Sequence, residues 1–332
     1  MRAPNAVKGR YYQFAGIVLL IVFLVSFYLI TINLWERSNK AFPTQQPVDE
    51  TLEYNGIKYD LKDNIETFVV IGLDKMSDGE EDSDAFRNDK QADFIMVFVL
   101  DNASQTITPI QINRDTMVEM NLLSLNGNPY ATATKQIALS FNEGNGKKIS
   151  CRNTLDAVST LLLGMKMNHY IAVTMDGVPV YNDLVGGVTL EVLDDFSSID
   201  ASLVKGETVT LKGRQSLTYV RTRQGVGDET NVSRMARQRQ YLNGLHEATV
   251  TKLKDDDAFA AELTTKMSEY IISDRSVSRL QVLLEKFSSY SFNETLVLEG
   301  ENKVGEKFME FYPTKDSVLK TVIAAFYRES GK

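Results

Sequence analysis

"DFIMVFVLDNASQTITPIQINRD" spans Asp93–Asp115, and its reading decides the fold. Two runs rich in β-branched and aromatic residues flank the polar stretch Asp101–Gln105, the pattern of two strands joined by a short turn. Upstream, "ETFVVIGLD" (residues 66–74) is an apolar run of buried-strand type that ends on Asp74. The acidic "KMSDGEEDSDAFRNDKQ" between them reads as a loop. Downstream, residues 153–167 have the apolar spacing of a core helix opened by an Asn153 cap, with Gly164 near its end. "HYIAVTM" is a further strand, and "GVPVYNDLVGGVTLEV" a helix that runs into a strand through Gly186-Gly187. Periodicity predicts helices near 234–250, 257–272, 276–288 and 315–328. Strands alternate with helices, so the expected class is α/β (mixed α+β), a central sheet covered by helices in a single domain.

The N-terminus adds a different kind of element. Residues 11–35, "YYQFAGIVLLIVFLVSFYLITINLW", carry no charge. At about 1.5 Å per residue such a helix exceeds the ~30 Å hydrocarbon core of a bilayer. Tyr11, Tyr12 and Trp35 sit at its ends, where interfacial aromatics belong. Arg2, Lys8 and Arg10 precede it with no acid among them, so the positive-inside rule puts the short tail in the cytoplasm and the rest outside. The segment is longer than a signal-peptide core and lacks a small-residue cleavage pattern. The expected organisation is a cytoplasmic tail (1–10), a single transmembrane helix (11–35), a polar spacer (36–64) with a possible hairpin at Asn55-Gly56, and an extracytoplasmic domain (65–332).

Composition narrows the chemistry. A formal net charge of -8 argues against a nucleic-acid binder, which needs a broad basic face. One cysteine and two histidines exclude an internal disulfide and a Cys- or His-built metal site, which leaves a hard cation held by carboxylates. Asp74 and Asp93 stand at facing strand ends and could hold Mg²⁺; Arg114-Asp115 ends the next strand. Against the acidic background, "LTYVRTRQGVGDETNVSRMARQRQY" (217–241) concentrates five arginines. Read as a strand, "LTYVRTR" aims Arg221 and Arg223 at one face. Arg234, Arg237 and Gln238 share a helix face, with Asn231 and Ser233 as candidate caps and Arg239 on another face as ordinary surface. Spacing alone leaves two readings open: a phosphate clamp, or a solvated basic face paired with Asp228 and Glu229.

Five blocks in fixed order, "VVIGLD", "ADFIMVFVLDNASQTITPIQINRDT", "TKQIALSFNEG", "MNHYIAVTMDGVPVYNDLVGGVTLEV" and "LTYVRTRQGVGDETNVSRMARQRQ", resemble the LytR-CpsA-Psr family of bacterial envelope phosphotransferases over about residues 65–245. The resemblance implies a membrane-anchored, Mg²⁺-dependent enzyme that moves a glycopolymer phosphate, of wall teichoic acid or capsule, from a polyprenyl-pyrophosphate carrier to peptidoglycan. The lipid tail would lie in an apolar tunnel between sheet and helices. Alternatives are a polyprenyl-pyrophosphate hydrolase and a non-catalytic scaffold that binds the lipid carrier. By position, Asp74 and Asp93 would hold the metal, Arg114, Arg221 and Arg223 would act on the phosphoryl oxygens with Asp115 as candidate base, and Arg87, Lys135, Arg234, Arg237 and Gln238 would bind pyrophosphate. The chain departs from the family pattern at Gln91, usually an arginine, for which Arg87 is a substitute, and at Asn231, often an acid, for which Asp228 is a substitute. The helix stretch "TLLLGMKM" reads as core in preference to tunnel lining.

Overall fold

The strand Ile65–Leu73 lies in the middle of the protein and its alternation organises everything around it. Val69, Ile71 and Leu73 are buried in one packed core, while Phe68, Val70 and Gly72 line a cavity on the opposite face. This is the period-two geometry of a strand covered on both sides. The neighbours repeat it: Ile95, Val97 and Val99 of Ala92–Asp101 enter the core, and Phe94, Phe98 and Leu100 face the cavity. The computed structural model describes residues 48–74, 88–306 and 308–331. The expected transmembrane helix, residues 11–35, lies outside them, and among the described residues no helix is long and apolar enough to cross a membrane.

The central sheet is mixed. In spatial order its strands are Ile271–Ser273, His169–Thr174, Ile65–Leu73, Ala92–Asp101, Thr106–Ile112 and Ser291–Phe292, with Leu296–Val297 also against Thr106–Ile112. The quoted stretch forms an antiparallel hairpin with Asp101 opposite Thr106, whereas His169–Thr174 runs parallel to Ile65–Leu73 after a crossover through the helix Lys148–Leu161. That helix begins five residues before the sequence reading put it. Asn153 is not a cap but a fully buried interior residue whose Nδ2 donates to Ser140 O (2.8 Å), and the chain leaves the helix before "TLLLGMKM" ends. Leu161, Leu162, Met165 and Met167 belong to the packed core and none lines the cavity.

The expected hairpin at Asn55-Gly56 forms, with both residues at positive φ as a tight two-residue turn requires. Its second strand, Ile57–Leu61, pairs with Tyr327–Glu329 near the end of the chain, so the folded body begins by Thr51. The other face of the sheet is covered by the helices Gly177–Leu184, Arg214–Arg221, Asn231–Asp255, Phe259–Met267 and Val277–Phe287. Between this layer and the sheet remains the cavity, about 470 Å³, with an almost wholly apolar lining.

Candidate active site

The site is built where the strand Ile65–Leu73 stops. Gly72 pairs with Phe94 but Leu73 pairs with Ala92, so Asp93 is pushed out of the ladder as a bulge beside the residue that follows Leu73, Asp74. Bulges re-aim side chains at strand ends in this way. The two expected carboxylates stand at this end of the sheet, and each carries an arginine: Arg221 Nη2 donates to Asp74 Oδ1 (2.6 Å) and Arg114 Nη1 donates to Asp93 Oδ1. The Oδ2 of each has no hydrogen bond among the described residues. Two carboxylates with free oxygens suit Mg²⁺, which takes one or two from protein and completes its shell with water and phosphate. No group of three or more His, Cys, Asp or Glu side chains that could cage a metal occurs among the described residues.

Arg114 lies just beyond the strand Thr106–Ile112. Besides Asp93 it donates to Gln91 Oε1 (2.5 Å) and approaches Asp115 Oδ1 (3.6 Å). Asp115 is buried; its Oδ1 accepts from Gln136 Nε2 (3.1 Å). Burial pushes the Asp115 carboxyl above the ordinary carboxylate range, while Arg114, Arg234 and Arg223 pull it back down. Such a group takes a proton more readily than a surface aspartate.

The arginine stretch folds differently from the strand-and-helix reading. "LTYVR" is the end of the helix Arg214–Arg221, and only Thr222 is extended, so Arg221 and Arg223 do not share a strand face. The residues between form a turn, and the long helix Asn231–Asp255 follows. Its cap is Thr230, whose side chain accepts from Ser233 N (3.2 Å), not Asn231 or Ser233. Asp228 supports that cap through Thr230 and Ser233, contacts that hold its carboxyl down at about 2, and makes no hydrogen bond to Arg234.

What converges is a set of three guanidiniums. Arg234, in the first turn of the helix and only 9% exposed, feels Arg114 and Arg223; burial first, then these neighbours, pushes it down to about 10. It remains a cation at neutral pH. It makes no hydrogen bond or ion pair to a carboxylate among the described residues: its Nη2 donates to Asn231 Oδ1 (2.6 Å), and its buried Nε has no hydrogen-bond partner there. Buried donors without partners are rare in folded proteins, and each leaves room for a water, an ion or a ligand to supply the acceptor. The positive end of the helix adds to the field at this point.

Arg237 behaves otherwise, although it lies only one turn further along. At 1% exposed, it donates to Asp194 Oδ2, Tyr219 O (3.1 Å) and Thr222 O, and lies 5.2 Å over the Phe196 ring. Each of its three nitrogens donates a hydrogen bond, and two of those bonds hold the segment carrying Arg221 and Arg223. Gln238 faces the cavity and donates to Val220 O (3.2 Å). Arg239, expected at the surface, is half-buried against the sheet, where it donates to Gln111 Oε1 (2.7 Å); Gln111 in turn donates to Gln238 Oε1 (3.2 Å). Lys135 approaches Glu143 (3.8 Å), and it is the neighbouring Gln136, on the opposite face of their strand, that reaches Asp115. Arg87 lies outside the described residues.

Sequence reasoning missed Asn113, Gln136, Asp194 and Gln111, took Gln91 only as a departure, and took Asn231 as a departure and a candidate cap. They are uncharged amides or a lone acid in loops, strands and one helix start, and only their contacts reveal them.

The cavity opens onto this cluster: Asp93, Arg221, Arg234 and Gln238 belong to its lining, and the rest is mostly aromatic and aliphatic. His246, in its wall, stacks on Phe292 (4.4 Å between centroids) and is held below the usual histidine range by burial, so it contributes a neutral ring. An apolar chamber joined to a cationic mouth suits an anionic head on a hydrocarbon tail.

A protein-family model described as the LytR_cpsA_psr family matches residues 25–322. The polyisoprenyl-teichoic acid–peptidoglycan teichoic acid transferase TagU of Oceanobacillus iheyensis is 25% identical over 309 residues, 89% of this chain and 88% of the relative. The crystal structure of Bacillus subtilis TagV superposes with a TM-score of 0.59 at 20% identity, covering 80% of this chain and 98% of that one. A structure described as TagT bound to LI-WTA gives a TM-score of 0.58 at 14% identity, covering 79% and 89%. At these identities the structural likeness speaks for the fold alone.

Proposed function

The chain belongs to the LytR-CpsA-Psr family, and from that premise we propose that it is a membrane-anchored phosphotransferase. Its donor is a glycopolymer carried on polyprenyl pyrophosphate, and its acceptor is a hydroxyl of peptidoglycan. The observation that carries this reading is Arg234: a buried cation with no hydrogen bond or ion pair to an acid among the described residues and an unsatisfied Nε, at the mouth of an apolar cavity. The names of the relatives, teichoic acid transferases acting on peptidoglycan, support the choice of donor and acceptor. The uncharged segment 11–35 supports the anchor and an extracytoplasmic domain.

In this mechanism the polyprenyl tail occupies the cavity and the pyrophosphate lies among Arg114, Arg223 and Arg234. Asp74 and Asp93 would hold Mg²⁺, which when bound offsets the charge of the pyrophosphate. The acceptor oxygen attacks the phosphorus bearing the glycan and its proton passes to the Asp115 carboxylate. The bond from that phosphorus to the bridging oxygen breaks, and polyprenyl monophosphate leaves with the electron pair. The guanidiniums neutralise charge on the leaving phosphate, and positioning with charge neutralisation is most of what phosphoryl transfer requires.

The direct test incubates the full-length chain in detergent with a lipid-linked glycan, Mg²⁺ and peptidoglycan oligomers. A covalent glycan–peptidoglycan adduct is expected. Hydrolysis without an adduct would identify a hydrolase, and tight binding without either product a scaffold.

Two further results are expected. Transfer should decline on the acid side as Asp115 gains a proton, with a midpoint above the ~3.9 of an unperturbed aspartate. Asp115→Asn should be slow at every pH. An acid limb retained in that variant would remove Asp115 as the base. Second, Val70→Trp places an indole in the cavity from the central strand. Excluding a single five-carbon isoprene unit removes on the order of 3 kcal/mol of burial, about a hundredfold in donor affinity. Donors with truncated tails should lose much less, and equal losses for both would show that the tail lies elsewhere.

A further inference from the structure

We propose that the two hairpins beside Asp115 form the docking surface for the acceptor, an amino-sugar chain of peptidoglycan, through exposed aromatic rings. The inference rests on reading Asp115 as the base that receives the acceptor proton. The arginines and the cavity are assigned to the donor, so the acceptor must arrive past the other neighbours of Asp115. These belong to two hairpins, Met117–Leu123 with Pro129–Gln136 and Gly300–Val304 with Met309–Pro313. Gln136 Nε2 donates both to Asp115 Oδ1 (3.1 Å) and to Met309 O (2.7 Å), so one amide joins the carboxyl to both. Phe311 N donates to Asp115 O (2.8 Å), and Thr116 pairs with Phe311. Among the described residues only three aromatic side chains are exposed, Tyr130, Phe308 and Tyr312. All three lie on these hairpins.

Single exposed apolar side chains are ordinary, but a set of rings confined to the hairpins of one site marks an interaction surface. Tyr312 is held ready for contact. Its neighbour Phe311 is buried in the core, so the alternation of the strand turns Tyr312 outward. Its hydroxyl donates to Glu310 Oε2 (2.7 Å), and Lys303 Nζ lies 5.2 Å over its ring. A ring fixed in this way loses little freedom on binding. On the other hairpin, Tyr130, Thr132, Thr134 and Gln136 share one strand face, and the first three are exposed. At about 3.3 Å per residue this stripe leads away from Gln136 for about 20 Å, a track for a chain and not a pocket for one sugar. A sugar ring presents flat C–H faces and a rim of hydroxyl and amide groups. Aromatic rings suit the faces, and Thr132, Thr134, Glu301 and Lys303 suit the rim. A lipid surface suits the hairpins less: Glu301 and Glu310 share the face of Tyr312, and anionic headgroups repel carboxylates.

The test measures binding of soluble peptidoglycan glycan-strand oligomers to the full-length chain in detergent and, separately, its affinity for the lipid-linked donor. Tyr130→Ala and Tyr312→Ala are each expected to weaken oligomer binding about tenfold, the cost of one well-placed aromatic anchor. Tyr312→Phe keeps the ring and should stay within about twofold of wild type, whereas Tyr312→Leu should resemble Tyr312→Ala. Donor affinity should move by less than about twofold in all four, a split that a misfolded variant does not show. In vesicles of brominated phosphatidylglycerol, an indole introduced by Phe308→Trp in a Trp35→Phe background should escape quenching. Quenching there would assign the hairpins to the membrane and overturn the proposal. Wild-type oligomer binding in both alanine variants also overturns it and leaves Asp115 and the donor site as they stand. Equal losses of donor and oligomer binding, or a wild type that binds no oligomer, overturn it as well. Ring-dependent binding without any transfer of glycan would leave the surface standing and remove Asp115 as the base.

Discussion

Arg234→Ala is expected to slow transfer by about 10²–10³-fold, the effect of removing one preorganised donor from a charge-stabilising site. The expectation follows from where its donors go. One meets Asn231 and the buried Nε meets nothing among the described residues, so the binding power of the guanidinium is reserved for a ligand. The same facts predict that the fold will not suffer. Arg234 is a desolvated cation beside two others, and its removal relieves repulsion, leaving only Asn231 Oδ1 without its donor. Thermal stability should therefore equal or exceed that of the wild type. A variant that keeps wild-type turnover, or loses activity only because it unfolds, would contradict this account of the residue.

Arg237→Ala should do the reverse. Its guanidinium is fully buried and engaged by Asp194 and two backbone carbonyls, Tyr219 O and Thr222 O. Removing it strands the Asp194 carboxylate and both carbonyls, and breaking a buried pair from one side costs about 3–5 kcal/mol. For a domain of this size that corresponds to a fall in Tm on the order of 10 °C. Arg237→Lys should recover little, because an ammonium cannot span three acceptors as a planar fork does. Activity should fall as a consequence, since Thr222 lies between Arg221 and Arg223, and low temperature should restore part of it. An Arg237→Ala protein as stable as wild type but inactive would show instead that Arg237 meets the substrate.

These two residues, one helical turn apart, show how far the sequence can be read. The i, i+3 spacing puts Arg234 and Arg237 on one helix face, yet it does not say that one lies at the cavity mouth and the other turns inward to Asp194. That acid lies forty-three positions earlier and carries no motif. The strands were legible because burial on both faces forces a continuous apolar run over Phe68–Leu73 and Phe94–Leu100. The carboxylates Asp74 and Asp93 were legible as strand ends, though not the bulge at Asp93. "LTYVRTR" misled because Thr, Tyr and Val favour strands locally. Packing of Leu217 and Tyr219 beneath the long helix overrides that preference and makes a helix that ends at Arg221. The Asn153 reading failed for a related reason, since a cap residue also serves as a buried amide when carbonyls such as Ser140 O lie in reach. The amides that orient the arginines were illegible altogether: Asn113, Asn231 and Gln111 have no spacing rule, and only their hydrogen bonds reveal what they do.

The central claim is that Arg114, Arg223 and Arg234 hold the pyrophosphate of a lipid whose tail fills the adjoining cavity. It is tested most directly by a crystal structure of the protein with a short polyprenyl pyrophosphate and Mg²⁺. The account predicts phosphate oxygens within hydrogen-bonding distance of Arg234 Nε, the metal on Asp74 and Asp93, and hydrocarbon density running past Val70 toward His246. Pyrophosphate bound elsewhere, with Arg234 Nε still unpartnered and the cavity empty of hydrocarbon, would contradict it.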